Sequence, residues 1–316
     1  MDNLTHTLTG LALSRAGLNR FSAHAPLVLM LSANVPDIDI VALTGGALNY
    51  FKYHRGPTHS IAMLPLTAIL PVLVVLAIAR STKGWRSAYV LSLIGVASHL
   101  LLDWTNAYGI RLLLPFSGEW FHADLNSVID IWIWGALLLA LIGPLLGRLV
   151  SSEIGAKPGS GQGLAIFALA FFLVYDFGRY LLHQRAMETL NSRIYDGAAP
   201  TRVGAFPGAV SPIRWVGWAD TPRTATRFDL NVLLPFDPAA GTEFFKPDPA
   251  PAMDAARQTE SFKVMQNFAL YPLWSLSPAD QPEGAIRVEL RDERFPFAAT
   301  AIVDRSNRVL RSSFHY

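Results

Sequence analysis

Apolar residues in this chain gather in long runs before they break into short alternating segments. IAMLPLTAILPVLVVLAIAR fills positions 61–80 and AYVLSLIGVASHLLLD fills 88–103. VIDIWIWGALLLALIGPLLGRLV fills 128–150 and GLAIFALAFFLVYDFGRYLL fills 163–182. About 20 mostly apolar residues cross the hydrocarbon of a bilayer as a helix, so these four runs are predicted to span. Pro65 and Pro71 stand inside the first and should kink it. Two earlier stretches, 4–18 and 26–43, are shorter or interrupted, the second by Asn34, Pro36, Asp37 and Asp39. They are read as short, half-inserted helices packed on the spans.

The pattern changes at His183. Positions 183–195 are charged and should extend the last span as a helix into water. Positions 196–212, rich in Gly, Ala and Pro, read as a linker. Beyond it, 213–218, 227–234, 286–290 and 298–303 are strand-like, with period-two alternation in RVEL and TAIV. Positions 252–268 suit a helix. The expected architecture is a mainly α membrane domain, 1–195, with about four spanning helices and short half-inserted ones. A linker, 196–212, and a small soluble α+β domain, 213–316, follow. Trp215 and Trp218 are assigned to the core or an interface of that domain.

Composition agrees. Hydrophobic residues make up 51% and charged residues 16%, against about 25% charged in soluble domains; mean hydropathy is +0.30. A net charge of +2 gives no reason to expect a nucleic-acid partner. With no cysteine, any metal must be held by His, Asp or Glu. The opening MDNLTHTLTGLALSRAG lacks a basic n-region, so no cleavable signal peptide is expected. Arg80, Lys83, Arg86, Arg148 and Lys157 cluster in two loops that should face the cytoplasm. That puts His59, Asp103, Asp124, Asp130 and the C-terminal domain outside, although Lys52, Arg55, Arg179 and Arg185 on that side count against it. The expectation is a multi-pass protein of a bacterial-type inner (cytoplasmic) membrane, its site and C-terminal domain periplasmic.

Ionisable residues among membrane segments are functional candidates by default. His99 and Asp103 stand four apart and share one helix face; they could grip one ion or merely bond each other. His54 and His59 flank Arg55-Gly56-Pro57-Thr58, and neutral imidazoles suit zinc. Arg55 could hold a phosphate or a developing negative charge, and Thr58 could cap the following helix. The bland alternative is a basic interfacial loop. Asp37 and Asp39 could bind metal, orient a histidine, or serve as general base; taken alone, a polar turn is the simpler account. His122, Asp124 and Asp130 rank second, Asp130 also suiting a helix N-terminus. His6 gains weight only from its company.

HTLTG, PDID, HRGPTHS and SHLLLDW together resemble the YdjM-like membrane-bound metal-dependent hydrolases over about residues 1–135. The resemblance implies that His6, Asp37, Asp39, His54, His59, His99 and Asp103 supply metal ligands, with Asp130 as the acidic residue that follows. It extends distantly to zinc-dependent phospholipase C and P1 nuclease proteins, which implies a helical core and phosphoester substrates. Those proteins use a processed N-terminal amine and more histidines, so one or two divalent ions, most simply Zn2+, are expected here rather than three. The leading expectation is an enzyme: a metal-dependent hydrolase of a phosphoester or lipid-linked substrate at the membrane face, with membrane lipids as partners. Asp37, Asp39 and Arg55 are its catalytic candidates. The alternatives are a metal-ion transporter, or a metal-binding sensor or scaffold without hydrolysis. Oligomeric state has no signature.

Overall fold

The computed structural model describes residues 1–155 and 159–315. Lys157, used above for orientation, lies outside the described residues. Helices in chain order are α1 (Asn3–Arg15), α2 (Ala25–Ser32), α3 (Ala47–Tyr53), α4 (Leu64–Thr67), α5 (Ile69–Ala79), α6 (Trp85–Thr105), α7 (Ile131–Glu153) and α8 (Gln162–Asn191). Strands β1 (Arg202–Pro207), β2 (Arg214–Asp220), β3 (Thr224–Asn231) and β4 (Thr242–Phe245) follow. Then come α9 (Pro251–Arg257), α10 (Glu260–Phe268), β5 (Pro272–Pro278), β6 (Ile286–Asp292), β7 (Ala298–Val303) and β8 (Val309–His315). The chain divides into two compact units: Met1–Asp39 with Arg55–Gln184 and Pro207–Arg214, and Ile40–His54 with Arg185–Phe206 and Trp215–Tyr316.

In the first unit, α6, α7 and α8 are each long and apolar enough to cross a membrane. The number among the described residues rises from 3 to 5 if each of 2 bent helix pairs counts as one span. The run at 61–80 is broken where its prolines stand. Pro65 opens α4, Pro71 lies in the first turn of α5, and Ala68 ends one helix and starts the next. With 11 residues, α5 is only about 16 Å long at 1.5 Å per residue, well short of a roughly 30 Å hydrocarbon core.

Helix α2 packs against both α1 and α6, and small residues make the approach possible. A Cβ on Gly10 would stand 2.6 Å from the Leu29 carbonyl oxygen, and one on Gly95 would stand 2.6 Å from Ser32 Cβ. Close approach through glycine is a usual device between membrane helices. The Ser32 and Ser92 hydroxyls meet at 2.8 Å across this contact, and Ser92 donates to the Ala68 carbonyl at 2.7 Å. Pro144 sits inside α7. Its missing N–H deprives the Ala140 carbonyl of its helical donor, and Arg15 Nη1 supplies one from α1 at 3.0 Å.

The second unit holds two four-stranded sheets, ordered β1-β2-β3-β4 and β5-β6-β7-β8; the second is antiparallel throughout. Trp215 and Trp218 are buried in it. Two boundaries differ from the sequence expectation. The segment 196–212 is not simply a linker, because it contains β1. There Gly204 lets Tyr271 lie flat on the backbone, its ring 2.6 Å from where a Cβ would be, and Tyr271 donates to the Val203 carbonyl at 3.0 Å. Here the small residue serves close packing rather than slack. Residues Ile40–His54, expected in the membrane domain, belong to the second unit. Phe51 on α3 is buried against Phe268, Phe297 and Phe314, with ring centroids at 4.7, 5.0 and 4.7 Å.

Candidate metal centre

Four short pieces of the first unit converge. The 3-10 helix Val35–Gly45 brings Asp37 and Asp39. A second 3-10 turn, Pro57–His59, brings His59. Helix α6 brings His99 and Asp103 from one face, and α1 brings His6. Asp37, His59, His99 and Asp103 each offer a ligand atom within 4.8 Å of the others. Asp103 Oδ2 lies 3.3 Å from His99 Nε2 and 3.5 Å from His59 Nε2. Asp37 Oδ1 lies 3.7 and 3.4 Å from the same two nitrogens. His6 stacks on His99 at 3.8 Å between centroids, with Nε2 3.3 Å from Asp103 Oδ1.

The far side of each ring shows which way its lone pair points. His99 Nδ1 lies 2.7 Å from the Ala33 carbonyl, which can only accept, so Nδ1 carries the proton. His59 Nδ1 lies 3.1 Å from Thr58 Oγ1 and 3.5 Å from an Asp39 carboxylate oxygen, and the carboxylate favours a proton there too. The two Nε2 atoms lie 3.1 Å apart, within hydrogen-bonding distance, and which of them carries a proton depends on the His59 tautomer. Asp103 Oδ2 lies beside both of them. Arg55 and the Met1 amino group both meet Asp103 Oδ1, while the two imidazoles and the Asp37 and Asp103 carboxylates crowd a water-poor site on its other side. His and Asp donors suit zinc and similar divalent ions, so the residues present fit a metal.

Several assignments from sequence change. Asp39 lies on the Nδ1 side of His59 and accepts the Arg55 backbone N–H at 2.9 Å, and it counts among the carboxylates able to hold a metal ion. That N–H belongs to a non-glycine residue held at φ +53, a conformation that costs energy and persists only where surroundings hold it. Arg55 is 3% exposed, and its guanidinium is engaged within the protein. Nη2 meets Asp103 Oδ1 at 3.1 Å, and Nη1 donates to Asn106 Oδ1 at 3.1 Å and to the Gly109 carbonyl at 3.2 Å. The group lies over the Tyr108 ring at 4.6 Å. It counters the charge of Asp103 rather than waiting for an anion. Thr58 does not cap α4, whose N-terminus has no side-chain cap. His54 falls in the second unit, at the end of α3, with its ring stacked on Tyr50 at 4.7 Å. Asp124 pairs with His122 at 2.9 Å. Asp130 caps α7, accepting from the Trp132 and Ile133 N–H groups and from Tyr175. Asn106 escaped the sequence reading. Its Oδ1 binds Arg55 and the Tyr108 and Gly109 N–H groups, and its place three residues after Asp103 at the end of α6 was the available signal.

A family model described as "YdjM inner membrane protein" matches residues 1–186. A Bacillus subtilis (strain 168) protein described as "Uncharacterized protein YfhP" is 29% identical over 206 residues, 62% of this chain. The matched region spans 59% of that relative's length. No solved structure matches the chain.

Proposed function

The chain belongs to the YdjM inner membrane protein family, and on that premise we propose that it is a membrane-bound, metal-dependent hydrolase. Asp37, His59, His99 and Asp103 would hold a divalent cation, zinc by donor type, with His6 beside them. The observation that carries the reading is the convergence of Asp37, His59, His99 and Asp103, each offering a ligand atom within 4.8 Å of the others. A divalent cation bound there supplies Lewis acidity and activates water near neutral pH.

The chain's own residues do the rest. Asp39 and the Ala33 carbonyl hold the two imidazoles in the tautomer that binds metal, the usual role of groups behind metal-bound histidines. Arg55 keeps Asp103 ionised and oriented. Of the carboxylates, Asp37 is the one partly open to solvent, which makes it the base for a proton lost from water. Phosphoester or lipid-linked substrates are the proposed class, reached at the outer (periplasmic) face. Their fit rests on a site borne by helices embedded in lipid and on the distant resemblance to phospholipase C and P1 nuclease proteins.

The test is metal analysis of detergent-purified protein, joined to a phosphoester and phospholipid hydrolysis screen. Stoichiometric divalent metal and turnover that falls in His59→Ala and Asp103→Ala are expected. Absence of metal, or variants as active as the unaltered protein, refutes the reading. Metal uptake into proteoliposomes without hydrolysis would favour a transporter.

A further inference from the structure

The segment between α6 and α7 ends in an apolar turn that nothing in the metal centre uses. Ile110-Arg111-Leu112-Leu113-Leu114-Pro115-Phe116 is apolar but for one residue, and its tip is exposed: Leu113 at 42% and Phe116 at 89%. The stem below is fixed. Ile110 and Phe121 exchange backbone hydrogen bonds at 2.9 and 2.8 Å, and Arg111 lies over the Trp120 ring at 5.1 Å. The turn is also tied to both sides of His59: Arg111 N–H donates to the Arg55 carbonyl at 3.2 Å, and Ile61 N–H to the Leu112 carbonyl at 3.0 Å.

Two further features say what covers this tip. First, the turn satisfies much of its own backbone. Phe116 and Ser117 N–H groups donate to the Leu113 carbonyl at 2.8 and 3.1 Å, and Leu114 N–H to the Arg111 carbonyl at 3.4 Å. Apolar surface can leave water cheaply only where backbone polar groups are already paired. Second, exposed apolar residues stand at the two helix ends that the segment carrying the tip connects. Trp104 closes α6, while Ile129, Ile131 and Trp132 flank the start of α7, and all are exposed. Tryptophan at span ends marks the headgroup level.

We propose that the 112–116 turn dips into the bilayer, with Leu113 and Phe116 seated at the headgroup–acyl boundary beside the metal centre. Its partner is the lipid surface itself. The inference does not depend on hydrolysis.

The chain has no cysteine, so Phe116→Cys, Leu113→Cys and Ser306→Cys each give a single thiol in the full-length protein. Ser306 is exposed in the turn between β7 and β8. Each variant is labelled with a nitroxide and reconstituted in phosphatidylcholine–phosphatidylglycerol vesicles. Collision with oxygen is compared with collision with a water-soluble nickel chelate. The labels at 116 and 113 should favour oxygen, with a ratio above one, and the label at 306 should favour the chelate. A label at 116 that behaves like the one at 306 overturns the proposal. Dipolar broadening between labels at 116 would seat a second copy of the chain on the turn and also overturn it. Leu113→Cys guards against a folding defect peculiar to position 116.

Discussion

Two polar groupings lie among the membrane helices of the first unit, and they solve the same problem differently. Around Asp130, every carboxylate meets a donor. Asp130 takes two backbone N–H groups and the Tyr175 hydroxyl. Asp176 takes Asn126 Nδ2 at 2.7 Å. Arg179 donates to the Leu125 carbonyl at 2.7 Å and also reaches the Pro212 carbonyl. Around Asp103, two imidazoles and two carboxylates bring their ligand atoms within 4.8 Å of one another. Burial of polar groups is common to both; the crowding of metal-capable atoms is not. The Asp130 grouping closes a helix end and ties α8 to neighbouring backbone, while the Asp103 grouping has the form of a ligand set.

The widest gap between the two should come from removing an acid in each. Asp103→Ala is expected to abolish stoichiometric metal binding, read by elemental analysis, and Asp130→Ala to leave it intact. Equal metal content in both variants would erase the distinction. Asp39→Asn tests the positioning role. Loss of the carboxylate behind His59 should weaken metal affinity about 10- to 100-fold, measured by competition with a chromogenic chelator. Chelation of the unaltered protein should lower its stability, by about 2.7 kcal/mol if the ion had been present at 100 times its Kd. Thermal unfolding in detergent would show that shift, and Asp103→Ala should show none. The smallest effect belongs to the helix cap: Asp130→Ala should cost about 1 kcal/mol, seen in the same melting experiment with and without chelator. A loss that vanished once metal was removed would connect Asp130 to the centre after all.

The centre was half legible in the sequence. His99 and Asp103 share a face because a helix repeats every 3.6 residues, and that holds wherever α6 packs. His59 and Asp37 were found as types of residue in suspicious places. Their roles were less accessible. Nothing local distinguishes His54 from His59; the first goes with α3, whose Phe51 is drawn into an aromatic core, and the second turns towards α6. Arg55 looked like a waiting anion site until its guanidinium was seen to hold Asp103 and Asn106. The 196–212 stretch misled for a related reason: glycine signals either slack or close contact, and only the partner, Tyr271, decides which.

The sequence by itself determined that the chain enters a membrane, that strands follow its apolar helices, and that imidazoles and carboxylates are its metal-capable groups. Those properties follow from hydropathy, periodicity and side-chain chemistry, which act over a few residues. Tertiary structure alone decided which acids are ligands and which are supports. That choice depends on which face of His59 meets Asp39, on what Arg55 reaches, and on how closely glycines let α1, α2 and α6 approach, all set by contacts between distant segments.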